Sequence, residues 1–190
     1  MDNASPIAIV GFSGVFPGAP DPDSLWRLIV EKKEGICGIP AERRTAASER
    51  LWSGGPAPDR AISKRAGLIR SFDFDPDDCR LGGDLVRKLD PMHRLALHAG
   101  RSAWRSFSAG PIDPRRAGVI MASIALPTDS ASRLCRDLIV GFIRRRVFNE
   151  TGLPEFSADA ARAAKVTGVA AGVIARELGL GGLCFTLDAA

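Results

Sequence analysis

The sequence of 190 residues has no tyrosine, only two histidines and only four cysteines. It has no apolar stretch near the ~20 residues needed to cross a bilayer, so no membrane partner is expected. With no tyrosine, no RNA-binding aromatic motif and no zinc-finger spacing, a nucleic-acid partner is not expected either. The cysteines are Cys37, Cys79, Cys135 and Cys184, and none lies within four residues of another, which excludes a CxxC redox or metal motif. His93 and His98 would sit about 140° apart around a helix, so they cannot form an i, i+4 metal pair. No metal site is expected. The start, Met1-Asp2-Asn3-Ala4-Ser5, lacks a basic leader region, which predicts a cytoplasmic protein without disulfides.

What is present is the mix of an ordinary globular protein, 45% hydrophobic and 25% charged. The length suits one domain or slightly more. The net charge of +4 rests on 21 Arg against 5 Lys. With alanine abundant as well, this bias reads as GC-rich codon usage rather than selection for a polyanion.

Along the chain, Ile7-Ala8-Ile9-Val10 is a short β-branched run that predicts a fully buried strand. The glycine-rich segment Gly11-Phe12-Ser13-Gly14-Val15-Phe16-Pro17-Gly18 follows. Ser13 stands where a dinucleotide fingerprint needs glycine, and Pro17, Pro20 and Pro22 keep a helix from opening there, so the glycines are expected to serve a tight turn. Asp23-Ser24 predicts the cap of an amphipathic helix running to about Lys33, stopped by Gly35. Residues 36–82 carry many breakers and predict a long connection with short elements, in which Phe72 and Phe74 act as aromatic pegs.

A short helix over residues 83–89 should stop at Asp90-Pro91. There Asp90 caps a new helix and Pro91 fills its first position, where no N–H is needed. That helix is expected to reach about Phe107 and to bury Met92, Leu95, Ala96, Ala99, Ala103 and Phe107. Gly118-Val119-Ile120-Met121-Ala122 predicts a second buried strand. Residues 128–149 predict a helix with Leu134, Leu138 and Phe142 on its apolar stripe and Cys135, Ile139 and Ile143 beside it. It ends in Arg144-Arg145-Arg146, either a solvated end complementing the helix dipole or a docking patch. Residues 160–178 predict a helix whose small residues, Ala164, Gly168, Ala171, Gly172 and Ala175, allow close approach, with Gly179 as its stop. Leu183-Cys184-Phe185-Thr186-Leu187-Asp188 predicts a third strand, with Cys184 packed in the core. Helices alternating with buried strands predict an α/β fold with a mostly parallel sheet.

Four blocks then carry a resemblance. Residues 7–19 followed by Leu25-Trp26-Arg27-Leu28, the helix start Leu89-Asp90-Pro91-Met92-His93-Arg94-Leu95-Ala96-Leu97, Gly118-Val119-Ile120, and Gly179-Leu180-Gly181-Gly182 with Phe185-Thr186-Leu187-Asp188-Ala189-Ala190 together resemble the β-ketoacyl synthases of polyketide and polyunsaturated-fatty-acid assembly lines. The resemblance implies a thiolase-like N-terminal half, layered αβα and incomplete, with residues 1–190 forming the N-terminal portion of a single domain. It implies a decarboxylative Claisen condensation on acyl carrier protein, in a parent enzyme that is a homodimer and uses no cofactor. The family's nucleophilic cysteine directly follows the Asp-x-Ala segment, here Asp188-Ala189-Ala190, so Thr186, Asp188, Ala189 and Ala190 form the approach to it. No catalytic residue is expected within the chain, which alone should be inactive. His93 and His98 are not expected to serve as the family's catalytic histidines.

Two other readings stay open. One is a non-catalytic binding module that pairs with a separately encoded remainder, or docks an acidic carrier protein through Arg133, Arg136, Arg144, Arg145 and Arg146. The other is a nucleotide binder of Rossmann type. With only three core strands in hand, the isolated chain is expected to expose apolar surface and self-associate.

Overall fold

The computed structural model describes residues 6–44, 50–108, 110–123, 139–151 and 166–188. The chain divides into two compact units, Phe12–Asp73 and Met1–Gly11 with Phe74–Ala190.

In Phe12–Asp73, Pro17-Gly18 forms a tight turn closed by reciprocal Phe16 and Ala19 backbone hydrogen bonds of 2.8 and 3.0 Å, with Gly18 at φ +75°. The glycines therefore do serve a turn. Helix α1 spans Pro22–Val30, and its cap is Asp21, not the expected Asp23. The Asp21 carboxylate accepts from the Ser24 N–H at 2.7 Å, and Pro22 fills the first turn. The helix ends earlier than expected. Lys32 takes a left-handed conformation at φ 54°, and the Lys33 N–H reaches back to the Leu28 carbonyl at 2.9 Å. Strands β1 (Ile36–Gly38) and β2 (Arg65–Gly67) pair antiparallel, Cys37 opposite Ala66. The other described residues of this connection in the unit form short elements, as its breakers predicted, among them a 3-10 helix over Ala41–Arg43 and an isolated bridge between Trp52 and Ala61.

In the other unit, α2 spans Gly83–Arg87, α3 spans Pro91–Arg105, β3 spans Val119–Ser123, α4 spans Gly141–Phe148, α5 spans Val166–Leu178 and β4 spans Cys184–Asp188. Asp90 caps α3 as expected, accepting from the Met92 N–H at 3.0 Å. Strands β3 and β4 run parallel, pairing Val119 with Cys184 and Ser123 with Asp188. Helix α5 lies against this sheet on one side and against α3 on the other. Val119, Ala171, Ile174 and Ala175 form the core of that contact, joined by Ala96, Met121, Leu178 and Leu180. A second cluster gathers Cys79, Val86 and Leu97 with Phe74, Leu81 and Val173. Phe74 is the peg its spacing suggested and meets the His98 ring edge-on at 6.1 Å.

Several expectations are corrected. Residues 7–10 form no strand, and Ile7 is 97% exposed. A β-branched run needs a ladder partner, and none of the described strands pairs with it. Helix α3 buries His93 and Leu97 most deeply, a face turned by about 100° from the predicted one. That face carries Leu97 into the cluster with Cys79 and Val86, and the helix also packs on α5. Its Gly100 meets Ile174 so closely that a β-carbon there would lie 3.0 Å from the Ile174 side chain. Close approach thus falls to Gly100 of α3, while Gly172 of α5 faces open space. Strand β3 is buried on one face only, because α5 covers that face while Ile120 points outward with Phe185 and Leu187 of β4. Cys184 is exposed rather than packed in the core, since it opens β4 at the edge of the face that α5 covers. Of the predicted 128–149 helix only the last turns are described, and there Ile139, Phe142 and Ile143 are exposed. Leu134, Cys135, Leu138 and Ala164 lie outside the described residues.

Candidate active site

The segment expected to lead to the nucleophile forms strand β4. It is delivered by a tight sequence of events that starts at the end of α5. Gly179 takes φ +68° and stops the helix, as predicted. The Leu180 N–H bonds the Ala175 carbonyl at 2.9 Å, and the Gly181 N–H bonds the Pro114 carbonyl at 3.0 Å. The chain then enters beside β3. The Gly182 N–H meets the Ala117 carbonyl at 2.9 Å and the Val119 N–H meets the Leu183 carbonyl at 2.8 Å. A β-carbon on Gly118 would overlap the Leu183 carbonyl oxygen, and one on Gly182 would sit 2.7 Å from Ala117. The glycines of this block are therefore dictated by backbone crowding where the two strands begin.

Along β4, register sets Thr186 opposite Met121 on the face that α5 covers. Its hydroxyl oxygen is buried without a hydrogen-bond partner among the described residues. Asp188 pairs with Ser123 at the end of the ladder. Ala189 and Ala190 lie outside the described residues.

The elements under this strand are held by a charge network that the sequence reading missed. The Glu177 carboxylate, on the last turn of α5, is 96% buried, its side chain 4% exposed. It accepts from the Arg80 and Leu81 N–H groups at 3.1 and 3.0 Å and faces Arg101 Nε at 3.3 Å. Arg101 also donates to Cys79 Sγ at 3.0 Å, to the Asp78 carbonyl at 2.6 Å and to its carboxylate at 2.7 Å. Hydrogen bonds from Arg105 and Arg101 hold the Asp78 carboxyl below its ordinary value of 3.8. Burial pushes the Cys79 thiol above its ordinary value of 9.0, against the opposing pull of Arg101. The only sequence signal was the Arg101/Arg105 pair at i, i+4, which cannot by itself name a partner 76 residues away in the chain (Arg101 to Glu177).

His93 is buried and belongs to the interior of α3, as the sequence implied. Arg144, Arg145 and Arg146 lie on exposed α4, where Arg144 pairs with Glu150 at 2.5 Å. Phe142, Ile143, Val147 and Phe148 on the same helix are exposed too. Arg133 and Arg136 lie outside the described residues. Among the described residues no group of acidic, histidine or cysteine side chains is placed to hold a metal ion, and no helix is long and apolar enough to cross a membrane.

A parallel β3–β4 ladder backed by a small-residue helix is consistent with an incomplete α/β fold of the thiolase-like ketosynthase kind. The solved structure described as PfaC keto synthase–chain length factor superposes with a TM-score of 0.75 at 25% identity, covering 96% of this chain and 21% of that one. The ketosynthase from module 6 of the bacillaene synthase of Bacillus subtilis shares the fold, with a TM-score of 0.58 at 21% identity over 96% of this chain and 26% of its own. The model of the β-ketoacyl synthase N-terminal domain matches residues 4–190, and the chain belongs to that family. Among curated relatives, a hybrid PKS-NRPS synthetase, TAS1, of Gloeophyllum trabeum is 41% identical over 56% of this chain. Erythronolide synthase EryA2 of Saccharopolyspora erythraea is 34% identical over 60%. The matched segments span 6% and 3% of those two proteins.

Proposed function

We propose that this chain supplies the N-terminal portion of a condensing enzyme of polyketide type. In that reaction a cysteine thiolate takes an acyl group from a carrier-protein thioester and releases the carrier thiol. A malonyl-type extender then loses CO2, and its carbanion displaces the cysteine to form the new C–C bond. The observation that carries the reading is β4, which runs in register beside β3 and ends at Asp188 of the Asp-x-Ala segment. A thiol placed just beyond such a strand, at a helix N-terminus, is activated by backbone N–H groups. None of Cys37, Cys79, Cys135 and Cys184 holds that position. The 190-residue chain therefore carries no acyl group of its own.

The carrier is an acidic acyl carrier protein that meets Arg133, Arg136, Arg144, Arg145 and Arg146, and the whole enzyme is a homodimer. A second reading, a non-catalytic module that pairs with a separately encoded remainder, draws support from the exposed apolar and basic residues of α4. Two experiments separate them. The coding sequence beyond codon 190 opens with a cysteine codon under the first reading and does not under the second. Reversing the charge at Arg144, Arg145 and Arg146 should weaken carrier binding measured by titration, and unchanged binding would remove the patch.

A further inference from the structure

We propose that the corner where β3 and β4 begin is a docking surface for an acidic amphipathic segment of a partner protein. The surface lies at the opposite end of the ladder from Asp188 and uses no residue of α4. It is independent of the condensing chemistry.

Three separate stretches of chain meet at this corner, and each brings arginine. The Arg80 N–H donates to the Glu177 carboxylate at 3.1 Å, and Glu177 follows Arg176 on the last turn of α5. A β-carbon on Gly179 would lie 2.7 Å from Arg80 Nη1, so the Arg80 guanidinium rests against the stop of that helix. The Gly181 N–H donates to the Pro114 carbonyl at 3.0 Å, and a β-carbon on Gly181 would lie 3.1 Å from Arg115 Cα. These contacts bring the turn Pro114–Arg116 alongside. Arg80, Arg115, Arg116 and Arg176 are exposed, and among the described residues none of their guanidinium groups has a hydrogen-bond or ion-pair partner.

The acids of the same stretches are engaged. Glu177 is buried and faces Arg101 at 3.3 Å, and Asp113 accepts from the Arg115 N–H at 3.0 Å. The corner also carries apolar surface. Leu183, just before β4, is 77% exposed, and Ile112 is exposed too. Arginine forks pair with carboxylates through two parallel hydrogen bonds. Forks set around leucine and isoleucine match a segment that mixes carboxylates with apolar side chains. A nucleic acid or a free phosphate would use the charge and leave Leu183 and Ile112 in water. Because hydrogen bonds already fix the backbone beneath, little ordering is left to oppose binding.

The test is fluorescence anisotropy of the full chain with fluorescein-labelled peptides at low salt. A peptide of repeated Glu-Glu-Leu units should bind, and one of Lys-Lys-Leu units should not. Arg115→Glu with Arg116→Glu should weaken binding about tenfold, and so should Arg80→Glu with Arg176→Glu. Arg50→Glu with Arg60→Glu makes the same change in net charge in the other unit and should leave the affinity within about twofold. Leu183→Ser should weaken the Glu-Glu-Leu peptide and leave a poly-glutamate peptide unaffected. Circular dichroism checks that each variant is folded. Equal losses from the corner variants and from the Arg50/Arg60 variant would reduce the surface to net charge and overturn the proposal. Absence of peptide binding, or tighter binding of a single-stranded oligonucleotide than of the peptide, would overturn it as well.

Discussion

Of the buried apolar side chains among the described residues, Ala19 belongs to Phe12–Asp73, whereas Cys79, Val86, Leu97, Val119, Ala170, Ala171, Ile174 and Ala175 belong to the other unit. The first unit is held by local devices: the Pro17-Gly18 turn, the Asp21 cap, a three-residue ladder, and Lys64 placed 4.4 Å over the Trp52 ring. The second is held by packing between α3, α5 and the β3–β4 pair, with a buried charge network pinned beneath it. The contrast teaches where sequence defects should be costly. A cap or surface pair can be lost with local damage, while a buried partner supports everything that touches it.

The largest effect should come from Glu177→Leu. It strands Arg101 and two backbone N–H groups, and should cost about 4 kcal/mol, read as a large drop in the urea midpoint. A loss under about 1 kcal/mol would mean that the network is ornamental. Leu97→Ala should follow at about 3 kcal/mol, because Leu97 is fully buried and anchors the second cluster. Asp90→Ala removes one cap from α3 and should cost about 1 kcal/mol. Asp21→Ala should instead raise hydrogen exchange within residues 21–30 and leave α3 and α5 protected. Protection lost equally in both units would erase the distinction between them.

A pH titration sharpens the same comparison. The folded Asp78 carboxyl lies below its ordinary 3.8, so the unfolded chain takes up protons first. Its contribution is present above about pH 4 and is lost as pH falls through the folded value. The loss should appear in the α3–α5 unit and vanish in Asp78→Asn, as followed by circular dichroism.

The sequence disclosed what depends on neighbouring residues. Asp90-Pro91 capped a helix, Gly179 stopped one, and Pro17-Gly18 made a turn, because cap and turn chemistry act over a few bonds. It misled where a distant partner decides the outcome. Residues 7–10 have strand chemistry but no described ladder. Cys184 is an ordinary small apolar residue whose exposure depends on what lies beside β4. The buried face of α3 was turned because Gly100 and Arg101, neither of them apolar anchors, meet Ile174 and Glu177 from another part of the chain. At the candidate site, the strand and its glycines were legible, and the ion network beneath it was not.

The account rests on β4 being the approach to a nucleophile that the 190 residues do not contain. The direct measurement is intact-protein mass spectrometry of the reduced chain after incubation with acyl-loaded carrier protein. The account predicts an unchanged mass. A stoichiometric acyl thioester on Cys37, Cys79, Cys135 or Cys184 would contradict it.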